Sequence, residues 1–404
     1  MTTRPAWADP VWPDPWVTAH ASEVVGLRRR IHSKPELGFC ELETTATVRA
    51  ELMAAGLAPT VLPGGTGLVC DIGSGPRTVA LRADIDALPV HDAKDVPYRS
   101  TVAGVCHACG HDAHTAVLVG TARALAEAGD LPGRVRVVFQ PAEESLPGGA
   151  LAAIDGGALK DVQQIFALHC DPRLETGLLG LRAGPITAAC DRVEVRLTGP
   201  GGHTARPHVT VDVVDALGRV ITEVPGLLSR RADPRHAMSL VWGAVGAGAA
   251  ANTIPREGTL RGTVRILSAD AWQRAEDLVR GLIADVVRPT GAEVEVGYVQ
   301  GVPPVVNDPG AVAVLRAAAR TAVGPEAVAP AEQSLGGEDF AWYLQHVPGA
   351  LGRLGVRRPD APGPPHDLHQ PDFDIDEDAL GVGVRLLART AVAALGGRPA
   401  RLQT

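Results

Sequence analysis

The chain has 404 residues, 45% hydrophobic and 21% charged, with a formal net charge of −8. That length exceeds what one hydrophobic core usually organises, so two domains are expected. No basic patch or run of Lys and Arg points to a nucleic-acid partner, and no apolar run reaches membrane-spanning length, which argues against a membrane one.

In chain order, residues 1–16 are Pro- and Trp-rich, carry no apolar secretory core, and read as a loose arm. Residues 17–56 have helical spacing, broken at 33–38 by Pro35 and Gly38, with His32 and Glu36 at the break as local caps or pocket-edge groups. Residues 67–72 and 78–83 read as strands, the second running into Asp84 and Asp86. A helix is expected over 115–128. Strand 134–139 ends at Gln140, just before Glu143 and Glu144, and strand 164–168 ends at His169. Strands alternating with helices predict an α/β fold with an open, mostly parallel sheet. In such sheets ligands lie beyond the carboxyl ends of the strands, where Asp84, Asp86, Glu143, Glu144 and His169 collect.

From about residue 188 the rhythm changes. Strands at 191–197, 238–245, 258–267 and 292–299 and helices at 209–228 and 269–287 follow the order β-α-β-β-α-β of a ferredoxin-like α+β unit. The expected organisation is a catalytic domain of residues 1–187 and 301–404, interrupted by an inserted domain of residues 188–300. Helices at 310–323 and 377–394 flank the segment that contains His366 and His369.

The chemistry concentrates at 105–114, VCHACGHDAH, which packs Cys106, His107, Cys109, His111, Asp112 and His114 together. Thiolate, imidazole and carboxylate are the ligand types for zinc and similar metals. A zinc ribbon would need a second C-x-x-C pair, which the chain lacks, and a thioredoxin-like motif would not need three histidines. Glu143 and Glu144 add one carboxylate for a metal and one for a water, since a metal-activated water needs a base close by. A closed structural site would not need the spare carboxylate, which disfavours a non-catalytic metal-binding protein. There is no G-x-S-x-G and no H-E-x-x-H. The six cysteines are too scattered for a disulfide scaffold and fit a reducing, cytoplasmic compartment. Cys40, Cys70, Cys170 and Cys190 read as small buried apolar residues.

The segments LRADIDALP (81–89), CHACGHDAH (106–114), QPAEE (140–144), GPGGHTARPH (199–208), ANTIP (251–255), GTVR (262–265), GGEDFA (336–341) and LHQPDFDIDE (368–377) occur in this order. Together they resemble a family of metal-dependent amidohydrolases: N-acyl-amino-acid amidohydrolases, hippurate hydrolases and auxin–amino-acid conjugate hydrolases, relatives of aminoacylases and carboxypeptidases. The resemblance implies two divalent metal ions (zinc, manganese, nickel or cobalt) held by Cys109, His111, Glu144, His169 and His369, with Glu143 as general base and later proton donor. It implies supporting roles for Asp84 and Asp86, Asp86 being counted with the catalytic groups. It also implies that the inserted domain is a lid and a homodimer surface. His203 would then cross to the partner subunit's site to stabilise an oxyanion, while Asn252 and Arg265 bind substrate. The implied substrate is an N-acyl or N-aroyl amino acid. The alternative is a metallo-carboxypeptidase or dipeptidase on the same scaffold.

Overall fold

A computed structural model describes residues 5–396. The chain divides into two compact units. The first runs to Gly184 and resumes over Val306–Glu332 and from Asp339; the second comprises Pro185–Val305 and Gln333–Glu338.

The first unit is built on an eight-stranded sheet. Its spatial order is Thr60–Val61, Leu68–Ile72, Arg134–Gln140, Thr78–Asp84, Gln164–Glu175, Gly349–Arg357, Leu179–Leu181 and Val328–Pro330. The four strands from Arg134–Gln140 to Gly349–Arg357 run parallel. Antiparallel pairings join Leu68–Ile72 on one side and Leu179–Leu181 on the other. Every residue of Thr78–Asp84 is buried, as expected of a central parallel strand covered on both faces. The helices Asp14–His32, His111–Glu127 and Asp378–Ala394 pack against one another. His111–Glu127 has no side-chain cap and is buried along most of its length, its polar first turn included, so tertiary packing rather than capping stabilises it.

Four expectations are corrected here. Residues 5–16 are not a loose arm: Trp12 and Trp16 are 6% and 8% exposed and belong to the core, while residues 1–4 lie outside the described residues. The helix expected from 115 begins at His111, which puts a candidate ligand in its first turn. The strand expected to stop at 168 continues to Glu175 because Gly349–Arg357, unanticipated in the sequence, pairs with it from Ile165 to Asp171 and, after a register shift, at Glu175. Cys40 is exposed and Cys190 half-buried, whereas Cys70 and Cys170 are buried as expected.

The second unit holds an antiparallel sheet in the order Ser239–Ala247, Glu257–Ile266, Ala189–Thr198, Glu293–Val302. Ala189–Thr198 alternates buried and less buried positions, as a strand covered on one face does. The helices Val213–Arg231 and Ala275–Val287 pack together and against the sheet. The single helix expected over 269–287 is two, Ala269–Trp272 and Ala275–Val287. Gln333–Glu338, read from the sequence as part of the first domain, groups with the second unit. The Ser334 N–H donates to the Ile186 carbonyl (2.9 Å), and the Ala188 N–H to the Ser334 carbonyl (3.1 Å). Among the described residues no helix is long and apolar enough to cross a membrane.

Candidate metal centre

The register of the parallel strands brings the polar residues to one level. Asp84 pairs with Gln140, and Arg82 with Ala167, so His169 lies two positions further on, level with Asp84. The chain leaves Gln140 through Pro141 and Ala142, whose φ of +53° puts a non-glycine residue in the left-handed region. That turn carries Glu143 and Glu144. Gly149 closes it: a Cβ there would lie 1.9 Å from the Pro141 carbonyl oxygen. Gly110, at φ +84°, reverses the chain between Cys109 and the helix that begins at His111.

Cys109, His111 and His169 have ligand atoms within 4.8 Å of one another, and so do Cys109, Glu144 and His369. The thiol of Cys109 is common to both groups. Its sulfur lies 3.6 Å from His169 Nε2. Glu144 Oε1 lies 3.2 Å from His369 Nε2 and 3.9 Å from His111 Nε2. Glu143 joins a further group with His111 and Glu144.

The surroundings fix which atom each histidine presents. His111 Nδ1 lies 3.0 Å from the Asp86 carbonyl oxygen and 3.2 Å from Asp86 Oδ1. His169 Nδ1 lies 2.8 Å from the Cys170 carbonyl oxygen. Both Nδ1 atoms therefore act as donors, which leaves the Nε2 lone pairs facing the cluster. Buried His111 Nε2 has no hydrogen-bond partner among the described residues, and Glu144 Oε1, 3.9 Å away, has only the His369 imidazole near it. Orphaned buried atoms are rare, and one that faces a carboxylate in a thiol- and imidazole-lined cluster fits a divalent cation.

Electrostatics agree. Burial alone would lower the His111 pKa, but Asp84, Asp86 and Glu144 outweigh it and raise it to about 10. Burial, then Glu144, Glu143 and Asp84, push the Cys109 thiol up. The cluster thus carries a surplus of negative charge that attracts positive charge. Burial would also raise the Asp84 carboxyl, but His111, Arg82 and His114 hold it well below the usual range.

His114, which by its place three residues after His111 is expected to be a support rather than a ligand, has its Nδ1 2.5 Å from Asp84 Oδ1, and its Nε2 accepts the Cys170 N–H at 2.8 Å. Asp86 Oδ2 accepts the Glu144 N–H at 2.9 Å. Fully buried Arg82 donates to Asp84 (2.7 Å), Gln140 (2.9 Å) and Asp339 (2.8 Å), and Asp339 also accepts the Ala150 N–H (2.9 Å). Arg82 and Asp339 are not among the site residues expected from the sequence. The available signal was a charged residue inside an otherwise apolar central strand, which must be paired.

The other expected site residues lie in the second unit. His203 pairs with Thr253, and the Thr204 N–H donates to the Asn252 carbonyl at 3.2 Å, so His203 and Asn252 are neighbours. Arg265 donates to the Leu335 carbonyl at 3.0 Å.

Residues 80–393 match the model of peptidase family M20/M25/M40. The chain belongs to this family. An N-acetyl-L-cysteine deacetylase of Bacillus subtilis is 36% identical over 364 residues, covering 89% of this chain and 85% of that protein. A Rhodococcus jostii protein that carries a glutamate–cysteine ligase name is 51% identical over 368 residues. The match covers 90% of this chain but 46% of that protein, so this chain spans about half of its length. Among solved structures, a Bacillus subtilis protein described as a dinuclear metal-binding peptidase from the M20 family superposes with a TM-score of 0.82 at 34% identity. It covers 94% of this chain and 99% of that one. This M20 member is a metal-dependent hydrolase with a mixed α/β fold.

Proposed function

We propose that this M20 hydrolase cleaves the amide bond of N-acyl amino acids, using two divalent cations held by Cys109, His111, Glu144, His169 and His369. The observation that carries the reading is the sharing of Cys109 by two ligand groups, with Glu143 beside Glu144. When bound, the cations supply Lewis acidity and lower the pKa of water. The soft thiolate with imidazoles and a carboxylate suits zinc, manganese, nickel or cobalt.

Glu143 takes a proton from the attacking water and later returns it to the leaving nitrogen, so water and amide become carboxylate and amine. Asp86 acts through others: it orients His111 and holds the Glu144 backbone. In a homodimer, His203 crosses to the partner subunit's site and offers an imidazole donor for the oxyanion, with Asn252 and Arg265 as partners for the substrate's carbonyl and carboxylate. The second unit serves as a lid and as the homodimer surface. Six free cysteines support a reducing, cytoplasmic setting.

The name of the deacetylase relative supports a small acyl group on an amino acid. The peptidase description of the structural relative makes dipeptides the second substrate class. Purified protein reconstituted with manganese or zinc is assayed against N-acetylcysteine, benzoylglycine and dipeptides, with Glu143→Gln as control. Turnover of the N-acyl amino acids above the dipeptides supports the proposal. Dipeptide preference replaces it with a peptidase, and no turnover of any overturns both.

A further inference from the structure

His369 differs from the other candidate ligands. Cys109, His111 and His169 are buried, in the turn before a helix, at that helix's first residue and inside a strand, whereas the His369 side chain is 52% exposed and its backbone is left-handed at φ +67°. It belongs to a coil between Gly349–Arg357 and the last helix. Such a residue needs external ties to hold its imidazole in place.

One tie is local: the His369 N–H donates to the Ala108 carbonyl at 2.7 Å. The Ala93 N–H donates to the Pro371 carbonyl at 3.1 Å, and three further contacts meet at Arg28, a guanidinium 1% exposed in the first long helix. Its Nε donates to Asp112 Oδ2 at 2.6 Å, its Nη2 to Asp374 Oδ1 at 2.6 Å, and its Nη1 reaches Glu377 Oε1 at 3.4 Å. Asp112 directly follows His111, whereas Asp374 and Glu377 follow His369 in the returning segment. Tyr98 braces the same junction: its hydroxyl donates to Asp374 Oδ2 at 2.7 Å, and its ring lies 4.9 Å from the Arg28 guanidinium carbon.

We propose that Arg28 is a positioning residue that clamps the His369 segment to the helix of His111, and so sets the affinity of the cation group formed by Cys109, Glu144 and His369. It touches neither substrate nor cation. The planar fork matters: it reaches carboxylates on two segments at once, which the single ammonium of lysine cannot do with the same geometry. Loss of an outer support of this kind costs roughly 10–100-fold in metal affinity. The clamp acts on one group and leaves Cys109, His111 and His169 in place, because Asp86 and the Cys170 carbonyl orient those rings independently.

This inference rests on the two-cation reading. The test is calorimetric titration of the metal-free full chain with Mn²⁺, comparing the parent with His369→Ala, Arg28→Lys and Asp374→Asn. Two binding events in the parent support the two-cation reading; a single event removes it, and the clamp with it. Given two events, His369→Ala identifies the one that involves His369. Arg28→Lys and Asp374→Asn are expected to weaken that event roughly 10–100-fold and to leave the other within about threefold. Excess Mn²⁺ is expected to restore activity in both. Unchanged affinity, or equal weakening of both events in proteins with native circular dichroism, overturns the clamp while the two-cation reading stands. Asp374→Asn guards against misfolding of the Arg28 variant, since its side chain is partly exposed.

Discussion

The buried carboxylate of Glu41 accepts the backbone N–H of Ala142 at 2.7 Å, one residue before Glu143. Glu41 is fully buried, and its other oxygen has no partner among the described residues. Burial, despite hydrogen bonds from backbone amides, raises its pKa from 4.5 to about 7. The folded state therefore binds a proton that the unfolded state has already released between pH 4.5 and about 7. Stability contributed by this group is full below pH 4.5, falls as pH rises through that window, and levels off above it. Urea unfolding of the parent and Glu41→Gln across pH 4.5–8 measures this. The difference between the two curves is expected to show that slope; a constant difference would mean that Glu41 titrates normally.

Glu143→Gln removes a proton acceptor but not a ligand of either proposed group. Metal content is expected to stay at the parent level, while kcat falls about 10²–10⁴-fold, the usual contribution of a positioned base. Elemental analysis and steady-state kinetics on the same preparation check both halves.

Cys109 belongs to both ligand groups, and His169 to one. After dialysis, Cys109→Ala is expected to retain neither cation, and His169→Ala to retain the one that involves His369. Added Mn²⁺ should raise the Tm of the parent, with about 2.7 kcal/mol of stabilisation at a free concentration a hundredfold above Kd. Cys109→Ala should show almost none. Differential scanning fluorimetry at graded Mn²⁺ reads the contrast.

Gly149→Ala places a methyl 1.9 Å from the Pro141 carbonyl oxygen, so the backbone of the turn must move. Both stability and activity are expected to fall, the stability by about 1–3 kcal/mol, as for other overpacked sites. Gly26 has no atom within 4 Å of its would-be Cβ and lies inside a helix. Gly26→Ala is therefore the matched control, expected to gain up to about 1 kcal/mol. Chemical denaturation of the pair separates a local steric effect from a general response to alanine.

Much of this architecture was legible because side chains announce their setting. Apolar runs such as 78–83 marked central strands, and the polar residues that follow them marked the ligand end of the sheet. Gly349–Arg357 was not legible: its three glycines and two arginines dilute the strand signal, and only pairing with Gln164–Glu175 explains its burial. Likewise the ten-residue cluster at 105–114 announced a concentration of candidate ligands, and Cys109 and His111 do meet His169 in one group. The roles of Arg28, Glu41 and Asp339 depend on partners far away in sequence, which no local pattern encodes. His32 illustrates the limit. Proposed as either a cap or a pocket-edge group, it is a buried link between Asp112 and Asp92. Glu36 is the cap, since it accepts the backbone N–H groups of Glu43 and Thr44 at the start of Leu42–Ala54.

The place of Gly349–Arg357 also bears on how the molecule is made. It lies between Gln164–Glu175 and Leu179–Leu181, yet the ribosome delivers it only after the whole second unit. A nascent chain halted before Gly349 has a gap in the middle of its main sheet rather than a missing edge. Completion of that sheet must therefore wait until the chain has emerged through Arg357.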